Sequence, residues 1–117
     1  MLTIKTTSRD FTEVEQYLMT LDPAITSVKD LADGTVINVA GYMIFEDTKD
    51  NGETVEVMSI IDNDMKCYAC QSATFKRAVQ DIHNIMGDKP FSVNKISGKT
   101  KAGRDYINCT LNIASVK

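Results

Sequence analysis

Between residues 34 and 116 the apolar residues change period twice, and the element order that results leaves few topologies open. Residues 35–46 read as a first strand, with Val36, Ile37, Val39, Met43, Ile44 and Phe45 in a β-rich, partly alternating run. Gly41 lies in its middle, where a glycine permits a bend or bulge. Residues 47–52 form a polar turn whose Asn51-Gly52 pair is a strong hairpin signal. A second strand over 53–61 carries Val55, Val57, Met58, Ile60 and Ile61. Asp62-Asn63-Asp64 turns into a short third strand over 65–71. Ser72 or Thr74 then caps a helix over 75–86, with Phe75, Ala78, Val79, Ile82, Ile85 and Met86 as one apolar stripe. Lys76, Arg77, Gln80, Asp81 and Asn84 are expected to face away from that stripe. Gly87 fits the helix C-terminus and Pro90 stops any continuation. A fourth strand over 91–96, a lysine- and glycine-rich loop over 97–103 and a fifth strand over 105–113 complete the order. In the last strand Ile107, Cys109, Leu111 and Ile113 should point inward and Tyr106, Asn108, Thr110 and Asn112 outward.

This β-β-β-α-β-β order is how an OB-fold barrel is built, and bends such as the one at Gly41 help small barrels to close. The expected fold is mainly β with α: a five-stranded OB-fold-like barrel with an N-terminal helical addition. Residues 1–33 are read as a helical extension packed on the barrel and residues 34–117 as the barrel domain. In the extension, Asp10 and Glu13 have the spacing of a capping box. Phe11, Val14, Tyr17, Leu18 and Leu21 follow at helical spacing, and Asp22-Pro23 closes the helix. Residues 27–31 read as a single helical turn that Gly34 ends. Barrels of this kind bind single-stranded nucleic acid or sugars, although a fold alone is not an activity.

At 117 residues the chain has the size of one domain. The net charge of −3 lacks the overall basic balance that is the simplest footprint of a nucleic-acid binder. A local basic patch still acts within a Debye length, about 8–10 Å at physiological salt. The polar N-terminus and the absence of a long apolar run imply no signal peptide, no membrane partner and a cytoplasmic location. Three cysteines, an odd number, argue against a disulfide framework and for a reducing setting.

Cys67-Tyr68-Ala69-Cys70 has CxxC spacing. A zinc site needs about four ligands, and only Cys109 and His83 remain to complete one. On a strand Cys67 and Cys70 point to opposite faces, so Cys67 and Cys109 read as small core residues. His83 stands without a nucleophile in a recognisable elbow. Asp62 and Asp64 fit a turn for backbone reasons alone, and no phosphate-cradling glycine motif is present. No catalytic residue, metal or cofactor is therefore implied, and the chain does not read as an enzyme.

The basic and aromatic residues carry more. Lys95, Lys99, Lys101 and Arg104 lie in or beside the last hairpin, which has no acid from Lys95 to Arg104. Lys66 precedes Tyr68 by two positions and should share its strand face. Tyr106 follows Arg104 by two, and Tyr42 lies near the bend of the first strand. Aromatic rings stack on bases and cations track phosphates, the combination that single-strand binding requires. Tyr42, Tyr68 and Tyr106 are the candidate stacking residues. Lys66, Lys95, Lys99, Lys101 and Arg104 are the candidate phosphate contacts.

At these residues the chain resembles small phage-type single-stranded DNA-binding proteins with one OB domain. The resemblance lies in the element order, the glycine-bent first strand from Val36 to Phe45, and the hairpin from Lys95 to Tyr106. Bacterial replication proteins of this class end in an acidic partner-recruiting tail. This sequence ends at Lys117 after its last strand, so that mode of recruitment is not implied. The resemblance implies a sequence-tolerant single-stranded DNA-binding protein acting in replication or recombination within a bacterial host cell. RNA is the other candidate strand, and a second copy of the chain and replication proteins are candidate partners. The alternative is an OB-fold protein–protein interaction module, such as a phage or mobile-element inhibitor or a replisome adaptor. The acidic balance and the Glu13/Glu15 helix favour that alternative.

Overall fold

In the computed structural model, residues 2–87 and 89–115 are described. Val116 and Lys117, included above in the barrel domain, lie outside them. Eight strands and two helices run in the order β1 (Leu2–Thr7), α1 (Glu13–Thr20), β2 (Thr26–Ser27), β3 (Val36–Val39), β4 (Gly41–Thr48), β5 (Thr54–Ile61), β6 (Cys67–Cys70), α2 (Ala73–Met86), β7 (Phe91–Lys99) and β8 (Asp105–Leu111). Short 3₁₀ turns follow β2 at Val28–Asp30 and β8 at Ile113–Ser115.

The strands form two sheets, ordered β1-β4-β5-β6-β2 and β3-β7-β8. No closed barrel forms among the described residues, and there are eight strands instead of five. The edge of β6 away from β5 is taken by β2, which runs parallel to it with Thr26 opposite Tyr68 and Ser27 opposite Ala69. With that edge occupied, β8 pairs with β7 alone. Residues 1–33 thus supply two strands as well as a helix.

The expected bend in the first strand is a complete break. β3 pairs with β7 and β4 with β5, so one stretch of chain serves both sheets. A β-carbon at Gly41 would stand 2.8 Å from ring carbons of Phe11, so only a glycine lets that ring approach the backbone.

Two apolar clusters result. The larger joins Ile37, Val39, Tyr42, Ile44, Met58, Ile60, Phe75, Val79, Phe91 and Val93. The second, Met19, Met43, Phe45, Ile61 and Cys67, is closed by Phe11, Leu18 and Ile25. β4 alternates between the two, which explains why residues 41–45 are buried without interruption.

Several local expectations change. α1 is capped by Thr12, whose hydroxyl accepts from Glu15 N, while the Glu15 carboxylate accepts from Thr12 N. The capping box therefore starts two residues after Asp10. Phe11, Leu18 and Met19 pack inward, leaving Val14, Tyr17 and Leu21 exposed. Ser72 caps α2 by accepting from Phe75 N. Lys76 is buried rather than solvated, its ammonium donating to the Glu56 carboxylate and carbonyl at 2.9 and 3.2 Å. Ile85 and Ile113 are 82% and 79% exposed; β8 ends at Leu111, so Ile113 never enters the strand.

The entry to α1 is held by charge. Arg9 donates to Glu15 at 2.9 Å and to the Ala40 carbonyl at 3.1 Å, with its guanidinium 4.4 Å from the Phe11 ring centroid. The Arg9 hydrogen bond, aided by that from Thr12 N, pulls the Glu15 pKa from 4.5 to about 2. A carboxylate depressed in the folded state stabilises it fully above its unfolded pKa and loses that contribution as pH falls through the folded value. The difference in Tm between the protein and Glu15→Gln should therefore be full above about pH 4.5 and close towards pH 2. Thermal unfolding across that window checks it, and a pH-independent difference would exclude the clamp.

Candidate nucleic-acid interface

The hairpin of β7 and β8 carries five of the candidate residues, Lys95, Lys99, Lys101, Arg104 and Tyr106. Its register sets Lys99 opposite Asp105, Gly98 opposite Tyr106 and Ser97 opposite Ile107. The turn is tied by Thr100, whose N–H donates to the Arg104 carbonyl at 2.8 Å and whose hydroxyl accepts from Arg104 N at 3.2 Å. Gly103 takes the left-handed conformation that this turn needs, at φ 84°. Lys99, Lys101 and Arg104 are exposed. The exposed Lys99 and Asp105 side chains approach to 3.9 Å, a loose pair that leaves the cation available.

Tyr106 is the aromatic that this hairpin presents. A β-carbon at Gly98 would lie 2.7 Å from its hydroxyl and 2.9 Å from Cζ. The ring thus rests on the bare backbone of the opposite strand while the residue stays 38% exposed.

Lys66 and Tyr68 are brought together, with the Lys66 ammonium 5.3 Å from the ring centroid. Lys66 leaves a tight turn in which the Asp62 carboxylate accepts from Asp64 N and Lys66 N, both at 2.9 Å. Asp62 is thereby used by the backbone. Lys66 is exposed, but Tyr68 is 9% exposed and sits in the larger core cluster.

Two other candidates are internal. Tyr42 is 4% exposed, and its ring meets His83 edge-on at 5.4 Å, which leaves no open face for a base. Lys95 is also 4% exposed. Its ammonium donates to the Leu31 carbonyl at 2.7 Å and to Asp33 at 3.2 Å, so its charge is spent inside the protein. Asp33 also accepts from the Ser97 hydroxyl, and these two donors, Ser97 first, lower its pKa. The candidates that are accessible are therefore Lys99, Lys101, Arg104 and Tyr106 on the hairpin, and Lys66 just before β6.

The cysteines divide as strand parity requires. Cys67 belongs to the smaller cluster and Cys70 to the larger, on opposite faces of β6. Burial pushes the Cys67 and Cys70 thiols up to about 11 and that of Cys109 to about 12. Thiols so far from ionisation are poor nucleophiles and poor ligands at neutral pH.

A cleft of about 570 Å³ opens between β2 and β6 on one side and β8 on the other. Lys29, Ser27, Gln71, Ala69, Ile107 and Tyr106 are among its walls. Lys29 carries no sequence signal of a site; its place follows from the parallel pairing of β2 with β6, which is a tertiary event.

A family model described as phage single-stranded DNA-binding protein matches residues 3–113. That family is DNA-binding and non-enzymatic, and its partner is single-stranded DNA. No curated protein and no solved structure matches the chain. No helix among the described residues is long and apolar enough to cross a membrane.

The two kinds of lysine should separate in chemical denaturation. Lys95→Met leaves the Leu31 carbonyl without its donor and should cost about 1–3 kcal/mol. Lys101→Met should stay within about 0.5 kcal/mol of the parent; equal losses would refute the assignment of Lys95 to the interior. In a separate measurement, all three thiols should react with an aromatic disulfide reagent only on the timescale of unfolding. Rapid labelling of the native protein would contradict their burial.

Proposed function

We propose that this chain, which belongs to the phage single-stranded DNA-binding protein family, is a sequence-tolerant binder that coats single strands during replication or recombination in the host cytoplasm. The observation that carries the reading is that one hairpin carries the exposed Tyr106 ring, with Arg104 two residues before it on the same strand, and the exposed Lys99 and Lys101. A ring stacks on any base, and ammonium and guanidinium groups follow phosphates, so neither feature selects a sequence. Lys66 is a further exposed cation, outside the hairpin. Tyr42, Tyr68 and Lys95 serve the core instead. The neighbours β4-β5-β6 and β3-β7-β8 support an open relative of the OB plan, with residues 1–33 as an extension of the unit that begins at residue 34.

A second reading has its own support. Val14, Tyr17 and Leu21 form an exposed apolar stripe on and just after α1, 50–63% exposed. Such a stripe suits a protein partner, either a second copy or a replication protein. It is compatible with DNA binding at the hairpin.

Salt dependence tests the DNA reading directly. For single strands, log K falls with log salt by about 0.7 per phosphate contact. Changing Lys99 and Lys101 together to Ala should flatten the slope by roughly 1–1.5 and weaken all sequences alike. Tyr106→Ala should weaken binding by about 1–3 kcal/mol with little change in slope. Fluorescence anisotropy with labelled oligonucleotides measures both. A wild-type protein without salt-sensitive binding to a long single strand would leave only the protein-partner reading.

A further inference from the structure

The cleft between β2, β6 and β8 is the place where the two sheets fail to meet. We propose that it seats one unstacked base of the bound strand, with Tyr106 against the base and Lys29 on a neighbouring phosphate. This rests on the DNA-binding reading above and names a subsite within it that the hairpin alone does not provide.

Size and lining favour this occupant. A volume of about 570 Å³ falls in the range of small-ligand sites, about 300–1,000 Å³. Ile25, Val57 and Ile107 offer apolar surface for the faces of a flat ring. Ser27 and Gln71 offer groups that both donate and accept hydrogen bonds, so they can meet the edge of any base without selecting one. The feature thus agrees with sequence tolerance.

Position favours it as well. Tyr106 belongs both to the cleft wall and to the basic hairpin, so a strand tracking Lys99, Lys101 and Arg104 passes the opening. Lys29, exposed in the 3₁₀ turn after β2, adds a cation on the opposite wall. Asp105 is the one acid in the lining, and Lys99 stands 3.9 Å from it, which offsets its repulsion of a phosphate. A free nucleotide shares this ligand chemistry. The strand is favoured because the phosphate contacts on the hairpin lie outside the cleft and only a continuous backbone reaches both.

The test uses the full chain and a long oligothymidylate in which single positions are replaced by 5-iododeoxyuridine. Irradiation should crosslink the protein at Tyr106, identified by mass spectrometry of the peptide. Filling the cleft with Ala69→Leu should abolish that crosslink and weaken binding by about 5- to 150-fold, the value of one lost stack. Lys29→Glu lies on the surface and is safe for folding, which melting by circular dichroism verifies. It should flatten the salt slope by at least about 0.7 even if the filled variant does not fold. Millimolar thymidine monophosphate should leave both the crosslink and the affinity unchanged; displacement of the strand by it would assign the cleft to a free nucleotide and overturn the proposal. If wild type binds and the Lys99/Lys101 change flattens its slope, but Lys29→Glu binds like wild type or the crosslink maps elsewhere, the cleft assignment fails and the DNA-binding reading stands. If wild type binds no single strand, both fall.

Discussion

The break at Ala40–Gly41 is the constraint on which the two-sheet arrangement depends. One run of chain enters the smaller sheet as β3 and leaves in the larger as β4, and no polar group at the corner is wasted. Ala40 N donates to the Ile61 carbonyl, and the Ala40 carbonyl accepts from Arg9. Tyr42 N donates to the Ser8 hydroxyl, and Ser8 N donates to the Tyr42 carbonyl. The corner is held by these four hydrogen bonds, to Ile61, Arg9 and Ser8. It also needs residues 8–11 in place, which binds the N-terminal segment to the domain more tightly than an appended helix would be.

This corner marks where sequence reasoning stops. The hairpins, α2 and the parity of β8 as far as Leu111 were legible, because their signals are local: an Asn-Gly turn, a capping serine, strict alternation. β1 was not legible. Leu2–Thr7 has one exposed face after another and acquires strand structure only by pairing with β4. The capping box read at Asp10 and Glu13 forms instead at Thr12 and Glu15, where α1 starts with Phe11 and Leu18 packed inward. For the site, parity assigned Tyr68 and Tyr106 to a face of their strands, and Tyr42 only to the neighbourhood of a bend. Tyr42 and Tyr68 point into the larger cluster, so two of the three candidate stacking residues became core. The lysines followed the same rule. Lys95 is itself buried, opposite the buried Cys109, and its long stem carries the charge to Asp33.

Charge allocation reconciles an acidic chain with an anionic partner. Lys76 and Lys95 neutralise acids within the fold, and Arg9 is committed to Glu15. The hairpin keeps Lys99, Lys101 and Arg104 at the surface and contains no carboxylate between Lys95 and Arg104. Because fields are screened beyond about 8–10 Å, a strand at the hairpin responds to these groups more than to the net charge.

The close approach of Tyr106 to Gly98 has an energetic consequence. A surface tyrosine ordinarily samples several rotamers, and immobilising a side chain at an interface costs about 0.5–1.5 kcal/mol. Here the glycine has removed the neighbour that would hold the ring away, and the ring is settled on the backbone before any ligand arrives. The entropy of ordering it belongs to folding, not to association. If a base stacks on Tyr106 as proposed, a planar surface fixed in this way would keep more of its stacking free energy as affinity, and one glycine without a side chain would tune the strength of a contact that it never makes.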